Sequence, residues 1–189
     1  MEELVLSFEE IDAIAKRLGK TLTQDLASDE KTPLFICVMK GALNFMAELI
    51  KHVSLPILTD YVQLSSYQGT KTTGQVNFKH MLESNPDGRT IVIVEDVVDT
   101  GLTMQALENY LRTNFKPKRI LLCSLFDKVN CRTVPAKVDY VGKTLTENKF
   151  LIGFGLDYDE LERNTTYVYT PDKNDLDRLN AILEKDKNQ

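Results

Sequence analysis

The sequence predicts an α/β fold: a mostly parallel, twisted sheet flanked by helices. Three observations carry that expectation. Short, largely apolar runs recur at 34–39, 90–94 and 120–126, as in strands buried on both faces. Between them lie segments whose apolar residues return at helical spacing. Alternating strands and helices of this kind call for a parallel sheet covered on both sides, with ligands held beyond the carboxyl ends of the strands.

Each element has its own signal. Ser7 with Glu10 three residues later is a capping box, and Ile11, Ile14, Ala15 and Leu18 continue a surface helix. Pro33 precedes the strand 34–39, Gly41 breaks it, and 42–52 reads as a helix. A second strand is expected at 57–64. The stretch 65–74 turns to Ser, Gly, Thr and Lys, supplies no core and reads as a mobile loop. Asn85-Pro86-Asp87-Gly88 is a turn signal before the third strand, 90–94. Ala106, Leu107, Tyr110 and Leu111 share one face of an amphipathic helix over 102–115, and a fourth strand follows at 120–126. Shorter strands are expected near 138–141, 150–154 and 167–169. Pro171-Asp172 then opens a polar C-terminal helix carrying Leu176, Leu179 and Leu183. No repeat or linker divides the chain, so one domain is expected over 1–189.

The bulk numbers narrow the function. A net charge of −5 favours solubility and gives no reason to expect a nucleic-acid or lipid surface. Cys37, Cys123 and Cys131 lack metal-ligand spacing, and His52 and His80 lie far from them, which argues against zinc. An odd cysteine count suits a reducing compartment. The N-terminal stretch is acidic where a signal peptide would be basic. No apolar run approaches the ~20 residues that span a bilayer, so the expected location is cytoplasmic.

The chemistry concentrates on one turn. The strand at 90–94 runs into Glu95-Asp96-Val97-Val98-Asp99-Thr100-Gly101-Leu102-Thr103, where a helix begins. Two carboxylates at the end of a buried strand are costly unless something neutralises them, such as ribose hydroxyls or a cation carrying a diphosphate. The free N–H groups and positive end of the following helix suit a phosphate monoester. Gly101 lets backbone approach closely, and Thr100 and Thr103 add hydroxyl donors. In the plainer alternative Asp99 and Thr100 merely cap the helix and the two acids are solvated.

This turn resembles the phosphoribosyl-pyrophosphate-binding loop of the type I phosphoribosyltransferases, and more narrowly that of their hypoxanthine-guanine branch. Further motifs extend the resemblance from Val38 to Arg163 in matching order. It implies the type I phosphoribosyltransferase fold, with a small hood formed by the terminal segments. It also implies transfer of a phosphoribosyl group to a purine base, with Mg²⁺ as cofactor and pyrophosphate as the leaving group. The product expected from hypoxanthine or guanine is IMP or GMP.

By the same resemblance Glu95 and Asp96 hold the ribose hydroxyls and assist with the metal. Asp99 is the catalytic residue that exchanges a proton with purine N7, and Thr100, Gly101, Leu102 and Thr103 cradle the 5′-phosphate, Leu102 through its amide. Lys128 donates to the purine 6-oxo group, which disfavours adenine because an ammonium cannot accept from an amino group. Phe150 stacks on the base and the backbone around Leu151 reads its 2-position. Asp157 binds Mg²⁺, Arg163 clamps pyrophosphate, and Lys40 and Gly41 contact it after a cis peptide. Ser66 and Tyr67 open a lid. Val129-Asn130-Cys131 departs from the pattern of many relatives, and only Arg132 matches well there.

Other readings are weaker. The segment 69–76 is a near miss to a P-loop, with Gln75-Val76 where Lys-Ser/Thr is required, and Gly153-x-Gly155 lacks the third glycine of a dinucleotide site. A ligand-sensing regulator of RNA or DNA on the same fold would show a basic face or an added domain. A relative preferring xanthine is compatible with Lys128. The resemblance also implies a homodimer or homotetramer; the apolar residues of 43–50 suit either a subunit contact or a core-facing helix.

Overall fold

In the computed structural model, which describes residues 3–66, 76–80 and 82–187, the apolar runs form the centre of a six-stranded sheet. Its elements, in chain order, are β1 (Glu3–Leu6), α1 (Phe8–Leu26), β2 (Leu34–Met39), α2 (Leu43–Ile50), β3 (Leu58–Ser66), β4 (Val76–His80), β5 (Thr90–Val98), α3 (Leu102–Asn114), β6 (Arg119–Lys128), β7 (Tyr140–Leu145), β8 (Val168–Thr170) and α4 (Lys173–Lys187). The sheet order is β4-β3-β2-β5-β6-β7; β3, β2, β5, β6 and β7 run parallel and β4 is antiparallel at the edge.

The continuous apolar runs are explained by two cores, one on each face. Phe35 and Cys37 of β2, Val92 and Val94 of β5, and Cys123 and Leu125 of β6 pack with α1 and α2. The alternate residues Leu34, Ile36, Val38, Ile91, Ile93 and Leu122 pack with Met104, Leu107 and Leu111 of α3. Each large side chain removed from water in this way contributes ~1.5–3 kcal/mol. The capping box of α1 is formed: the Glu10 amide donates to Ser7 Oγ at 3.2 Å, and the Ser7 amide donates to Glu10 Oε2 at 2.8 Å. Gly19 lets α1 lie close against α2, because a β-carbon there would stand 2.7 Å from His52 Cβ.

The ends of the chain form the hood. β1 pairs antiparallel with β8, and Leu179 of α4 packs on Ile152 and Tyr169. Lys143 Nζ donates to the Val5 carbonyl at 2.8 Å, tying β1 to β7.

Four boundaries differ from the sequence-based expectation. β5 runs on through Glu95 and Asp96 to Val98, because Glu95, Val97 and Val98 keep their pairing with Ser124, Phe126 and Asp127. The segment 150–154 is not a strand: Gly153 and Phe154 take positive φ of 98° and 50°, leaving only the isolated bridges Ile152–Tyr169 and Gly153–Leu156. The strand expected at 138–141 sits further on, at Tyr140–Leu145. β1 had no counterpart among the expected elements. The P-loop-like stretch, apart from Val76 in β4, and Tyr67 lie outside the described residues; Ser66 ends β3.

Candidate active site

A cavity of about 550 Å³ opens beyond the carboxyl ends of β2 and β5, the two central strands. Lys40 and Gly41 enter it from the end of β2, Glu95 to Gly101 with Thr103 from β5 and the start of α3, and Asp157, Glu160 and Arg163 from the segment before β8. The Met39–Lys40 peptide is cis.

Glu95 is 7% exposed. Burial, reinforced by the neighbouring Asp96 charge, holds its carboxyl well above the usual carboxylate range. The Asp96 amide donates to Glu95 Oε1 at 3.1 Å, and the Val97 amide to Asp96 Oδ1 at 2.6 Å. These two acids are therefore part of the sheet's last rungs rather than a solvated turn.

The helix after them is open at its N-terminus. Gly101, at φ 87°, is the N-cap of α3 and has no side chain to cap it with; the Leu102 amide donates to Thr100 Oγ1 at a long 3.4 Å. Asp99 thus does not cap it, Thr100 meets only the Leu102 amide, and the remaining first-turn amides are available to an anion. Only glycine fits at 101: a β-carbon would meet Ala136 Cβ at 2.9 Å and the Val134 carbonyl at 3.0 Å. The Thr100 carbonyl is anchored by the amides of Thr133 and Val134 at 3.0 and 3.3 Å.

Lys128, buried at the end of β6, reaches Asp99 Oδ2 at 3.5 Å and Asn148 Oδ1 at 3.4 Å. Phe150, two residues beyond Asn148, is half-exposed and meets Tyr158 edge-on at 6.2 Å. Leu151 is buried. Lys128, Phe150, Leu151 and Leu102 do not line the cavity; Lys128 reaches it through Asp99, and Leu102 is partly exposed on α3.

Arg132 plays a structural part. It donates to the Val98 and Asp99 carbonyls and pairs with Asp127, stapling the end of β5 to the end of β6. On the opposite wall Arg163 donates to the Gly155 carbonyl at 2.6 Å and pairs with Asp157 Oδ1 at 2.8 Å. Lys40 Nζ lies 2.9 Å from Glu160 Oε2.

Comparison with known proteins agrees with this arrangement. A family model described as a phosphoribosyl transferase domain matches residues 6–159. The hypoxanthine-guanine phosphoribosyltransferase of Streptococcus thermophilus (strain CNRZ 1066) is 42% identical over 172 residues, covering 89% of this chain and 92% of that protein. The chain belongs to the hypoxanthine-guanine phosphoribosyltransferase family. The enzyme of the same name from Lactococcus lactis is 40% identical over 169 residues, with 89% and 90% covered. Among solved structures, a hypoxanthine phosphoribosyltransferase from Staphylococcus aureus superposes with a TM-score of 0.85 at 34% identity, covering 91% of this chain and 92% of that one. This phosphoribosyltransferase therefore carries its expected fold.

Sequence reasoning missed several residues of that site. Glu160, Gln63 and Met104 line the cavity, and Asn148 contacts Lys128. Asp159, Glu160 and Glu162 all precede Arg163, and only the turn shows which carboxylate meets Lys40. A separate group, Asp12, Glu48 and His52, brings ligand-type atoms within 4.8 Å of one another between α1 and α2. His52 there bonds Asp12 at 3.1 Å and Lys51 pairs with Glu48 at 2.7 Å, so its charges are matched within the protein.

Proposed function

We propose that the enzyme transfers the 5-phosphoribosyl group from phosphoribosyl pyrophosphate to hypoxanthine or guanine, giving IMP or GMP and pyrophosphate in purine salvage. The observation that carries this reading is one cavity holding the Glu95-Asp96 pair, the uncapped start of α3, and the cations Lys40 and Arg163. Carboxylates suit ribose hydroxyls, helix amides a 5′-phosphate, and the two cations a diphosphate. That division gives Glu95 and Asp96 the ribose, the backbone and hydroxyls of Thr100 to Thr103 the phosphate, and Lys40, Gly41 and Arg163 the pyrophosphate. The base lies between Phe150 and the Asp99–Lys128 pair, with Leu151 backbone at its 2-position.

The bond between C1 and the pyrophosphate oxygen breaks as purine N9 bonds to C1 with inversion. Asp99 takes the proton from N7, and Lys128 donates to the 6-oxo group. Developing positive charge on the ribose is met by the acid pair below it. Exclusion of water from the reacting centre spares the donor from hydrolysis.

The carboxylates fit Mg²⁺. Glu95 is buried beside Asp96 with its pKa driven upward, an arrangement a nearby cation relieves, and Asp157 is a third oxygen donor in the same cavity. When bound, Mg²⁺ supplies positive charge to the diphosphate and makes it a better leaving group.

Three free cysteines support a reducing, cytoplasmic setting. No helix among the described residues is long and apolar enough to cross a membrane. Self-association as a homodimer or homotetramer is supported by α2, which buries Phe45 and Leu49 but leaves Leu43 50% exposed beside Tyr61 at 43%. These residues border an apolar groove that continues from the Lys40-Gly41 turn, so a second copy seated there would brace the site.

The test is nucleotide formation with phosphoribosyl pyrophosphate, Mg²⁺ and each of hypoxanthine, guanine, xanthine and adenine. Turnover with the first two, none with adenine, and loss on chelation of Mg²⁺ are expected. No turnover with any base would overturn the reading. Turnover confined to xanthine would keep phosphoribosyl transfer and replace the substrate.

A further inference from the structure

We propose that the carboxylate of Glu160 competes with pyrophosphate for Lys40 and Arg163, so that the diphosphate must displace it to bind. The inference rests on the phosphoribosyl-transfer reading and identifies an affinity-determining residue within it.

Two cations from distant parts of the chain converge on one oxygen. Lys40 Nζ, from the end of β2, lies 2.9 Å from Glu160 Oε2. Arg163 Nε and its NH2 nitrogen each lie 3.3 Å from the same atom. Like charges brought this close repel unless an anion sits between them. Here that anion is Glu160, a side chain lining the cavity itself. The same Lys40 and Arg163 are the cations suited to a diphosphate.

The geometry around Glu160 suits a placeholder rather than a permanent brace. Its side chain is 61% exposed, so the pairing is screened and weak. It sits at the tip of a tight turn closed by Tyr158 and Leu161, with Asp159 and Glu160 both at positive φ. The turn is anchored through backbone: the Glu160 amide donates to Asp157 Oδ2 at 2.8 Å. The side chain can therefore leave while the turn stays. Its hydrogen bond from Lys40, and secondarily the Arg163 charge, hold the carboxyl below the usual carboxylate range, so it is an anion throughout the neutral region.

A pyrophosphate carries more charge and more acceptor oxygens than one carboxylate, and it wins the exchange when present. The exchange lowers its affinity by the fraction of enzyme in which Glu160 is withdrawn. Competition of this kind also favours release of product pyrophosphate, because an internal anion is ready to refill the cations.

The experiment is titration calorimetry of inorganic pyrophosphate at fixed Mg²⁺ with wild type, Glu160→Gln and Glu162→Gln. Glu162 is the neighbouring acid, bonded to Arg178 and Tyr169 and absent from the cavity lining. Glu160→Gln should tighten pyrophosphate binding about three- to tenfold, with a parallel fall in KM for phosphoribosyl pyrophosphate. Glu162→Gln should stay within about twofold of wild type. Unchanged or weaker binding in Glu160→Gln, with wild type binding normally, would overturn the placeholder role alone. Equal tightening in both variants would reduce the effect to bulk charge and overturn it as well. Failure of all three proteins to bind pyrophosphate would remove the phosphoribosyl-transfer reading and the inference together.

Discussion

The Asp96 carboxylate rests against the α-carbon of Gly41: a β-carbon at 41 would stand 1.8 Å from Asp96 Oδ2. The contact joins the turns that leave β2 and β5, and it fixes the acid pair relative to the Lys40 turn. Gly41→Ala must push Asp96 aside. Since misplacement by about 1 Å can cost ~10²-fold, kcat/KM for phosphoribosyl pyrophosphate should fall by about that factor. The melting temperature should change little, because the displaced group faces the cavity. Steady-state kinetics beside a thermal melt separates the two effects.

Lys128 is a buried ammonium whose partners are Asp99 and Asn148. Lys128→Gln removes the charge proposed to meet the purine oxygen and should lower kcat/KM for hypoxanthine by ~10²–10³-fold. Discrimination against adenine should narrow at the same time, since Gln offers an acceptor. Asp99→Asn should lose turnover to a similar extent while retaining phosphoribosyl pyrophosphate binding, read by calorimetry.

Arg132 reaches the carbonyls of Val98 and Asp99 and the carboxylate of Asp127. Arg132→Ala leaves Asp127 largely buried without its partner, a loss that typically costs about 3–5 kcal/mol. Urea denaturation should show a lower midpoint with an unchanged slope. Activity should fall too, because Asp99 is carried on the segment that Arg132 pins.

The thiols give a pH dependence of stability. Burial, with added repulsion from Glu95 and then Asp96, pushes the Cys37 thiol up to about 12, and burial raises Cys123 as well. In the unfolded chain a thiol ionises near ~8.5. The folded state therefore keeps protons that the unfolded state sheds above that pH. Stability falls as pH rises from there towards 12, by at most ~1.4 kcal/mol per pH unit for each such thiol. Cys37→Ala should flatten the slope, measured as urea midpoints between pH 8 and 10. Thiol titration of native protein should find Cys131 alone reactive, slowly, since burial and the Asp99 contact raise it too.

Much of this was legible in the amino-acid order, where burial on both faces writes β2, β5 and β6 as unbroken apolar runs. The acidic turn was legible because an apolar strand meeting two acids and a glycine has few structural uses. The length of β5 was not, since Glu95 and Asp96 look like a strand's end while their backbone continues to pair with β6. Residues 150–154 mimic a strand in composition, yet positive φ at Gly153 and Phe154 turns the chain away. Glu160 was hidden among neighbouring acids that the sequence cannot rank, because the choice is made by a turn and by a lysine 120 positions earlier.

Glu3 pairs with Thr170, and the bond network of the hood closes over a separation of 167 residues (170 − 3). The parallel sheet, by contrast, is assembled from neighbours such as β5 and β6. During synthesis β1 leaves the ribosome with no partner, and its edge stays unsatisfied until β8 follows. Loop closure on that scale is slow to be rewarded, so the sheet can form before the wall bearing Ile152 and Tyr169 is latched. The hood is then latched only after β8 has emerged, when every strand of the six-stranded sheet has already been made.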